Sequence, residues 1–250
     1  MAVWALADLH LSFGVPDKKM DVFGDNWIDY TDKVKEHWHA LIKPDDLVLI
    51  AGDISWAMRP EDAIPDLQWI HEMPGTKVMI RGNHDYWWAS VSKVEKVLPP
   101  SIHILQNNAF LWRDIAVGGA RLWDTAEYRF NGYIDFKENA RSKKLTVTDN
   151  DLAETEKVFV RELSRLELSL KALSKDATKR VVMTHYPPIS ATLELSRAAE
   201  IIEKYQINEC VFGHLHNVKR GIPMFGTKND VTYHLTSCDF LDFIPKKIYD

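Results

Sequence analysis

Five short apolar segments each lead into residues that commonly bind metal ions. The first three lead into Asp8-Leu9-His10, Gly52-Asp53 and Gly82-Asn83-His84-Asp85. The other two lead into His185 and Gly213-His214-Leu215-His216. Carboxylate, amide and imidazole donors together suit Mn, Fe, Zn, Co or Ni, whereas Mg and Ca prefer oxygen ligands alone. The sequence therefore predicts a site for transition-metal ions.

Strand geometry explains how these residues can act together. Residues i and i+2 of a strand point to the same side, so Asp8 and His10 can bind one ion, and His214 and His216 repeat that spacing. In open α/β sheets, ligands bind beyond the carboxyl ends of the strands, where all five clusters are expected. A glycine beside three of the clusters permits the sharp exit that aims the next side chain into a cleft.

Each cluster alone has an ordinary structural explanation. A strand-end Asp-x-His is commonly a surface or capping pair, Gly-Asp is a turn dipeptide, and a lone His is more often a core residue. The complete set is harder to explain that way. Five of the ten histidines lie inside the clusters, and the others lie in predicted helices or strands without such a setting. The set therefore favours a functional site.

Alternating apolar runs and longer amphipathic segments predict the α/β elements that position these residues. The predicted strands are Val3–Ala7, Leu47–Ala51, Lys77–Ile80, Ile102–Leu105, Ala109–Trp112, Ile115–Gly118, Arg180–Thr184, Glu209–Phe212, Ile222–Phe225 and Thr232–Thr236. The predicted helices are Thr31–Ile42, one beginning near Pro60, one from Ser90 to Leu98, Asp151–Leu173 and Leu195–Tyr205. For residues 239–250, packing along a sheet edge and an oligomer contact both stay open.

The stretch from 124 to 150 is the least regular part of the chain. It mixes Gly, Asn, aromatic and charged residues. A loop this long inside a compact domain is usually functional or mobile. We expect a lid or cap insertion over the site, with a disordered surface insertion as the alternative.

Composition narrows the possible function classes. The net charge of −5 provides no basic excess to favour nucleic acid, although a local basic patch would not change that sum. Cys210 and Cys238 lie too far apart in sequence to form a metal-binding pair. No apolar run reaches the ~18 residues of a membrane span, and the N-terminus lacks a signal-peptide pattern. A cytoplasmic location is therefore expected.

The clusters, in this order, resemble the calcineurin-like metallophosphoesterase superfamily. Its pattern is D-x-H, GD, GNH followed by an acid, a lone His, and G-H-x-H, which matches residues 8–216. The resemblance implies an α/β (α+β) fold, a four-layer αββα sandwich of two mixed β-sheets flanked by helices. It places a dinuclear metal site at the C-terminal strand ends and implies one metallophosphoesterase domain over residues 1–250.

The resemblance also implies a role for each matching residue. The expected metal ligands are Asp8, His10 and His216 for one ion, Asn83, His185 and His214 for the other, and Asp53 as the bridge between them. The cofactors would be two divalent ions, with Mn, Fe or Zn expected. Such ions clamp phosphoryl oxygens and generate a bridging hydroxide for in-line attack on phosphorus.

Four further residues are candidates for catalysis or substrate binding. His84 would protonate the leaving oxygen or stabilise its charge. Asp85 would orient His84 and raise its pKa, with capping of the next helix an equally open interpretation. Arg81 and Arg121 could each bind a phosphate bidentately, although a surface salt bridge is the simpler interpretation.

Aromatic residues also lie beside the motifs and could line a pocket. They could stack on a base or cover an apolar group, whereas core packing is the simpler interpretation for at least half of them. These residues are Trp56, Tyr86, Trp87, Trp88 and Trp123.

The chain departs from the protein Ser/Thr phosphatases of this superfamily, which extend the GD motif with a further Asp and an Arg. Here Gly52-Asp53 continues as Ile54-Ser55-Trp56-Ala57. We therefore expect a hydrolase of the bacterial type that acts on a small phosphodiester or phosphomonoester. A nuclease and a non-catalytic metal-binding scaffold remain alternatives. The sequence does not indicate an oligomeric state.

Overall fold

The structure, a computed structural model, describes residues 1–135 and 149–250. The strands are β1 (Val3–Leu6), β2 (Leu47–Ile50), β3 (Thr76–Met79), β4 (Ile102–Ile104), β5 (Phe110–Trp112), β6 (Ile115–Ala120), β7 (Lys179–Thr184), β8 (Glu209–Phe212), β9 (Gly226–Lys228), β10 (Val231–Leu235) and β11 (Lys246–Tyr249). The helices are α1 (Tyr30–Leu41), α2 (Ile64–Glu72), α3 (Val91–Glu95), α4 (Asp149–Lys171) and α5 (Arg197–Lys204). None of these helices is long and apolar enough to cross a membrane.

Two mixed sheets form the centre of the fold. Sheet one has the order β11-β1-β2-β3-β4, and sheet two has the order β5-β6-β7-β8-β10-β9. Strands β1 to β4 are parallel, as are β6, β7, β8 and β10. Three outer strands, β11, β5 and β9, run antiparallel. Parallel pairing brings the carboxyl ends of the inner strands to one edge of each sheet.

Alternating side chains along the strands build three apolar layers. Val3 of β1 lies in the layer between the sheets, whereas its neighbour Trp4 packs in the outer layer with Trp38 of α1. Phe159 of α4 and Ile202 of α5 pack in the other outer layer, on sheet two. This arrangement confirms the αββα sandwich.

Local sequence signals fix the starts of several helices. The Ser196 hydroxyl accepts a hydrogen bond from the Ala199 amide at 3.1 Å, which caps α5 at its first turn. Pro65 lies at the start of α2, where a missing amide hydrogen costs nothing. The helix predicted from Ser90 to Leu98 is shorter in the structure, where α3 ends at Glu95.

The predicted strand Ile222–Phe225 is wrong. Pro223 cannot donate to a strand ladder, and the left-handed backbone of Phe225 (φ 58°) interrupts extended geometry. Strand β9 begins at Gly226, directly after the predicted segment ends, and forms a hairpin with β10. Asn229 and Asp230 close that hairpin, both with positive φ, as a two-residue turn requires.

The C-terminal strand β11 was not predicted from the sequence. It pairs with β1 at the edge of sheet one, which confirms the sheet-edge packing left open for residues 239–250. Its residues, Lys246-Lys247-Ile248-Tyr249, are half-buried or exposed, and this explains the missing apolar signal.

Candidate metal centre

The strand-end loops bring the seven predicted metal ligands into one cluster. β1 leads to Asp8 and His10, β2 to Asp53, β3 to Asn83, β7 to His185, and β8 to His214 and His216. Both sheets therefore contribute to the site at the edge where their parallel strands end.

Four of these residues have a left-handed backbone. The φ angles are 60° for Asp8, 46° for His10, 52° for Asp53 and 72° for His214. For residues with a Cβ atom, such conformations cost on the order of 1–3 kcal/mol each and concentrate at functional sites. The loops therefore hold these side chains in place at an energetic cost.

Two motif glycines are required by close approach to the ligands. A Cβ atom at Gly82 would lie 2.1 Å from Asp53 Oδ1, and a Cβ atom at Gly213 would lie 2.3 Å from Asp8 Oδ2. Any larger residue at either position would displace a carboxylate that the site needs.

Asp8, His10 and His216 form the first ligand group. One donor atom from each lies within 4.8 Å of the others. The Nε2 atoms of His10 and His216 are 3.2 Å apart, and His216 Nε2 lies 3.8 Å from Asp8 Oδ1. These donors converge on one small volume.

Asn83, His185 and His214 form the second group. Asn83 Oδ1 lies 2.7 Å from His185 Nε2 and 3.0 Å from His214 Nδ1. Asp53 lies between the two groups, since its Oδ2 is 3.7 Å from His10 Nε2 and 3.5 Å from His185 Nε2. The arrangement is the one expected of two ions that share a carboxylate.

Hydrogen bonds behind the ligands orient their rings. His185 Nδ1 donates to the Ala51 carbonyl at 2.9 Å, and His216 Nδ1 lies 2.9 Å from Asp239 Oδ1. Each contact leaves Nε2 facing the cluster, as in metal-binding histidines whose second nitrogen is hydrogen-bonded. The mixed oxygen and imidazole donor set, already oriented, fits divalent transition-metal ions.

Asp239 lies outside the predicted motifs. It follows β10, which is parallel to β8 and ends at the same edge of sheet two. The segment Ser237-Cys238-Asp239 after an apolar strand was the signal that could have identified it.

The cluster brings opposite charges close together in a buried space. Burial acts to lower the pKa of both His185 and His216. The carboxylate of Asp53 outweighs this effect for His185 and raises its pKa to about 9. The carboxylate of Asp239 does the same for His216, whose pKa also rises to about 9. Burial lowers the pKa of His10 to about 3. Burial also acts to raise the pKa of Asp53, but His185 and His10 dominate and lower it. Asp53 is therefore ionised, as a bridging ligand must be.

The structure gives Asp85 different partners from those expected. Its carboxylate accepts hydrogen bonds from the backbone amides of Ile54 (2.8 Å) and Gly82 (2.7 Å) and from Trp87 Nε1 (2.9 Å). The expected rise in the pKa of His84 does not occur, because burial lowers that pKa. Asp85 instead ties the loop after β2 to the loop after β3.

His84 lies at the rim of the cluster beside the bridging carboxylate. Its amide donates to Asp53 Oδ1 at 2.8 Å, which fixes the residue next to the centre. Its Nδ1 is buried and has no hydrogen-bond partner within the described residues. The ring lies 5.7 Å from that of His10, so the side chain is close to the first ligand group without belonging to it.

An aromatic wall flanks the first ligand group. The Trp56 ring stacks on His10 at 5.0 Å between centroids and lies 4.7 Å from His84. Phe23 lies parallel to Trp56 at 6.4 Å, and Tyr86 lies 6.2 Å from His84. Phe23 and Tyr86 are 50% and 51% exposed, so apolar surface faces solvent beside the site.

Two of the five motif aromatics are fully buried, and Trp56 and Trp123 are partly buried against the core. Trp87 and Trp88 are buried in the core of sheet one. Trp123 packs under the guanidinium of Arg121, 4.4 Å from the ring centroid.

Residues 124–135 form part of a second wall beside His214. A cleft of about 290 Å³ lies between this segment and the loops after β7 and β8. The Tyr128 hydroxyl donates to the Pro187 carbonyl at 2.6 Å, and the Asp135 amide donates to the Asn217 carbonyl at 2.9 Å. The rest of the expected lid, residues 136–148, lies outside the described residues.

Arg81 and Arg121 line one cleft near the second ligand group, together with Arg165 and Glu162. Arg121 forms the expected ion pair, with its Nη2 3.4 Å from Glu162 Oε1. Arg81 forms no such pair among the described residues. Arg121 thus has an ion pair, which is largely buried rather than at the surface, and Arg81 has none among the described residues.

A comparison with protein families decides the classification. The family model for calcineurin-like phosphoesterases matches residues 1–218 of this chain, a range that contains every predicted metal ligand. The chain belongs to the calcineurin-like phosphoesterase family. It is accordingly a metal-dependent phosphoester hydrolase.

Two solved structures are similar to this phosphoesterase over almost their whole length. A protein of unknown function from Aquifex aeolicus has 13% identity and a TM-score of 0.46, covering 98% of this chain and 95% of that chain. The phosphopantetheinyl hydrolase from Mycobacterium tuberculosis has 14% identity and a TM-score of 0.51, covering 99% and 95%. The second likeness shows a shared fold. No curated protein sequence matches this chain.

Proposed function

We propose that this phosphoesterase hydrolyses a small phosphodiester or phosphomonoester at a centre of two divalent metal ions, with Mn, Fe or Zn expected. The observation that carries the proposal is the convergence of two donor groups on Asp53, with its carboxylate 3.7 Å from His10 and 3.5 Å from His185. When bound, the ions would supply Lewis-acid charge and lower the pKa of a water molecule.

The donor set suits an anionic substrate. Asp8, His10 and His216 would hold one ion and Asn83, His185 and His214 the other, with Asp53 shared. Asp8 and Asp53 contribute two negative charges against four positive charges from two divalent ions, while Asn83 is neutral. The loaded site would thus keep a net positive charge that attracts a phosphate group.

His84 would act on the leaving group. Burial lowers its pKa, which favours the neutral imidazole. A neutral imidazole still carries one N–H, which can donate a hydrogen bond to the leaving oxygen and stabilise the negative charge that develops there as the ester bond breaks. The hydrogen bond from its amide to Asp53 keeps it near the reacting phosphorus.

Asp85 supports this geometry as a positioning residue. Its bonds to the amides of Ile54 and Gly82 hold together the two loops that carry Asp53 and Asn83. The aromatic wall of Phe23, Trp56 and Tyr86 would contact the part of the substrate beyond His84. Arg81 and Arg121 would contact the substrate on the opposite side, and residues 124–150 would cover the site as a lid within a single domain.

The test is hydrolysis of bis-p-nitrophenyl phosphate and p-nitrophenyl phosphate by the full chain with Mn²⁺, with other divalent ions and after chelation. We expect metal-dependent turnover that falls roughly 10²-fold or more in His84→Ala, the usual range for loss of a hydrogen-bond donor to developing negative charge. His39→Ala, a change at an exposed histidine on α1, serves as the control. Absence of metal-dependent turnover of either ester would contradict the proposed function.

A further inference from the structure

A basic cleft of about 200 Å³ opens at the strand-end edge, beside the second ligand group. Its walls come from both sheets, with Arg81 following β3 and Arg121 following β6. Arg165 and Glu162 of α4 close it from the side. None of these four residues belongs to the proposed metal ligands.

The cleft carries more positive than negative charge. Its three guanidinium groups face a single carboxylate, that of Glu162, whose side chain is 2% exposed. Glu162 Oε1 lies 2.7 Å from Arg165 Nη1 and 3.4 Å from Arg121 Nη2. One carboxylate therefore holds two arginines in position, and a net charge of about two positive units remains, because guanidinium groups do not lose their protons at neutral pH.

Arg81 is the unpaired member of this cluster. It forms no hydrogen bond or ion pair with any residue that the structure describes, and its Nε is buried. The Nε of Arg121 is buried without a partner as well. A half-buried guanidinium next to another cation is unfavourable unless an anion accepts its hydrogen bonds, and planar guanidinium groups match phosphate geometry.

The topology places the cleft next to the candidate metal centre. Asn83 and His185 follow β3 and β7, whereas the cleft lies at the ends of β4 and β6, the next strands outward in the two sheets. Adjacent strands are about 4.8 Å apart. The connection is also direct, since the Arg121 carbonyl accepts a hydrogen bond from the His185 amide at 3.1 Å, and one residue separates Arg81 from Asn83.

We propose that this cleft is an anion-binding subsite that holds a phosphate group beside the phosphate being hydrolysed. The group is either a second phosphate of the substrate or a free phosphate ion. The subsite itself stands on the geometry of the cleft, whereas its use by the substrate rests on the proposed function. Glu162 sets the positions of Arg121 and Arg165, and Arg81 supplies the donors that have no protein partner.

Binding of inorganic phosphate to the chelator-treated full chain tests the subsite without any turnover. Calorimetric titrations at constant ionic strength would compare the wild type with Arg81→Gln and with Arg165→Gln. The control is Arg59→Gln, which removes the same charge from an exposed position. We expect on the order of tenfold weaker binding in Arg81→Gln, as for loss of a charge-assisted contact, and a smaller loss in Arg165→Gln.

Phosphate affinity in Arg59→Gln should match the wild type. Equal affinity in Arg81→Gln and the wild type, or no measurable binding by the wild type, would overturn the subsite. Arg81 has no hydrogen bond to lose within the described residues, and a thermal unfolding curve for each variant verifies that it is folded.

A second experiment identifies the source of the phosphate group. The metal-loaded enzyme would be given the p-nitrophenyl ester of thymidine 5′-phosphate, with and without a 3′-phosphate. A lower KM for the compound with two phosphates, lost in Arg81→Gln and kept in Arg59→Gln, would assign the subsite to the substrate. Equal KM values, together with phosphate binding that depends on Arg81, would assign it to free phosphate. Failure of the wild type to cleave either ester would count against the proposed function, while the binding titration still decides the subsite.

Discussion

The metal centre and the walls around it are built in opposite ways. In the centre, Asp8, Asp53 and His185 are fully or almost fully buried, and each contacts other loops through hydrogen bonds or close charges. In the walls, Phe23 and Tyr86 are about half exposed. The centre is therefore fixed by many mutual contacts. The walls instead expose apolar side chains to solvent and contain a hydrogen-bond donor, the Nε of Arg81, that has no partner among the described residues.

This difference in burial suggests that the centre determines the reaction and that the walls determine which substrate binds. Changes in the centre should disturb metal binding and folding together, because its ligands lie on strained loops that hold one another in place. Changes in the walls should leave the metals and the fold in place and alter substrate affinity.

Asp53→Asn should have the largest effect on activity. The amide keeps the shape but loses the charge that both ligand groups share. We expect turnover of bis-p-nitrophenyl phosphate to fall on the order of 10³-fold, with a lower metal content, because stabilisation by the metal ions amounts to several kcal/mol. Asp176→Asn, the same change at an exposed residue, should retain activity. Full activity in the Asp53 variant would mean that the ligands are misassigned.

Gly82→Ala should damage both catalysis and stability. The new methyl group would lie 2.1 Å from Asp53 Oδ1, so the loop after β2 must move. We expect a loss of about 1–3 kcal/mol in the free energy of unfolding, measured by denaturant titration, together with reduced turnover. Gly132→Ala provides the control, since a Cβ atom there meets nothing within 4 Å. Equal stability of the two variants would show that the centre tolerates more movement than we infer.

Asp239→Asn should weaken metal binding without removing a ligand. The variant loses the carboxylate that orients His216 through a 2.9 Å contact. Outer partners of this kind are typically worth about 10–100-fold in metal affinity. Competition with a chromogenic chelator would measure the change. Asp242→Asn, at a nearby exposed carboxylate paired with Arg220, should bind metal like the wild type.

Phe23→Ala and Tyr86→Ala should have the smallest effects. Each removes apolar surface that faces solvent beside His84, so we expect KM for aromatic esters to rise by roughly three- to tenfold at unchanged metal content. Leu111→Ala, at a similarly exposed apolar residue on β5, is the matched control. A loss of bound metal in either aromatic variant would break the proposed division between centre and walls.

The sequence predicted the centre better than the walls for a physical reason. Proposed metal ligands such as Asp8 and His10 follow a strand at fixed spacing, and this leaves a local pattern. Asp239 was missed because its partner, His216, is 23 residues away and the contact depends on strand pairing. The partners of Asp85 were also missed, because the amide of Ile54 lies on a loop that sequence spacing does not locate.

The strands show the same dependence on local pattern. The buried inner strand β8 was predicted with the correct bounds and the other inner strands to within two residues at each end, because both of their faces are apolar. Edge strand β11 was not predicted, and β9 was predicted at the wrong residues. Edge strands carry polar side chains, and their bounds depend on pairing. The net charge of −5 likewise gave no indication of the basic cleft around Arg81, which forms only when two sheets and α4 meet.

The most direct test of the two-metal account is a titration of chelator-treated full-length chain with Mn²⁺, following bound metal and phosphoester hydrolysis in the same samples. We predict saturation at two ions per chain, with turnover rising mainly as the second ion binds. Full turnover with one ion bound, or turnover that persists after complete chelation, would contradict it.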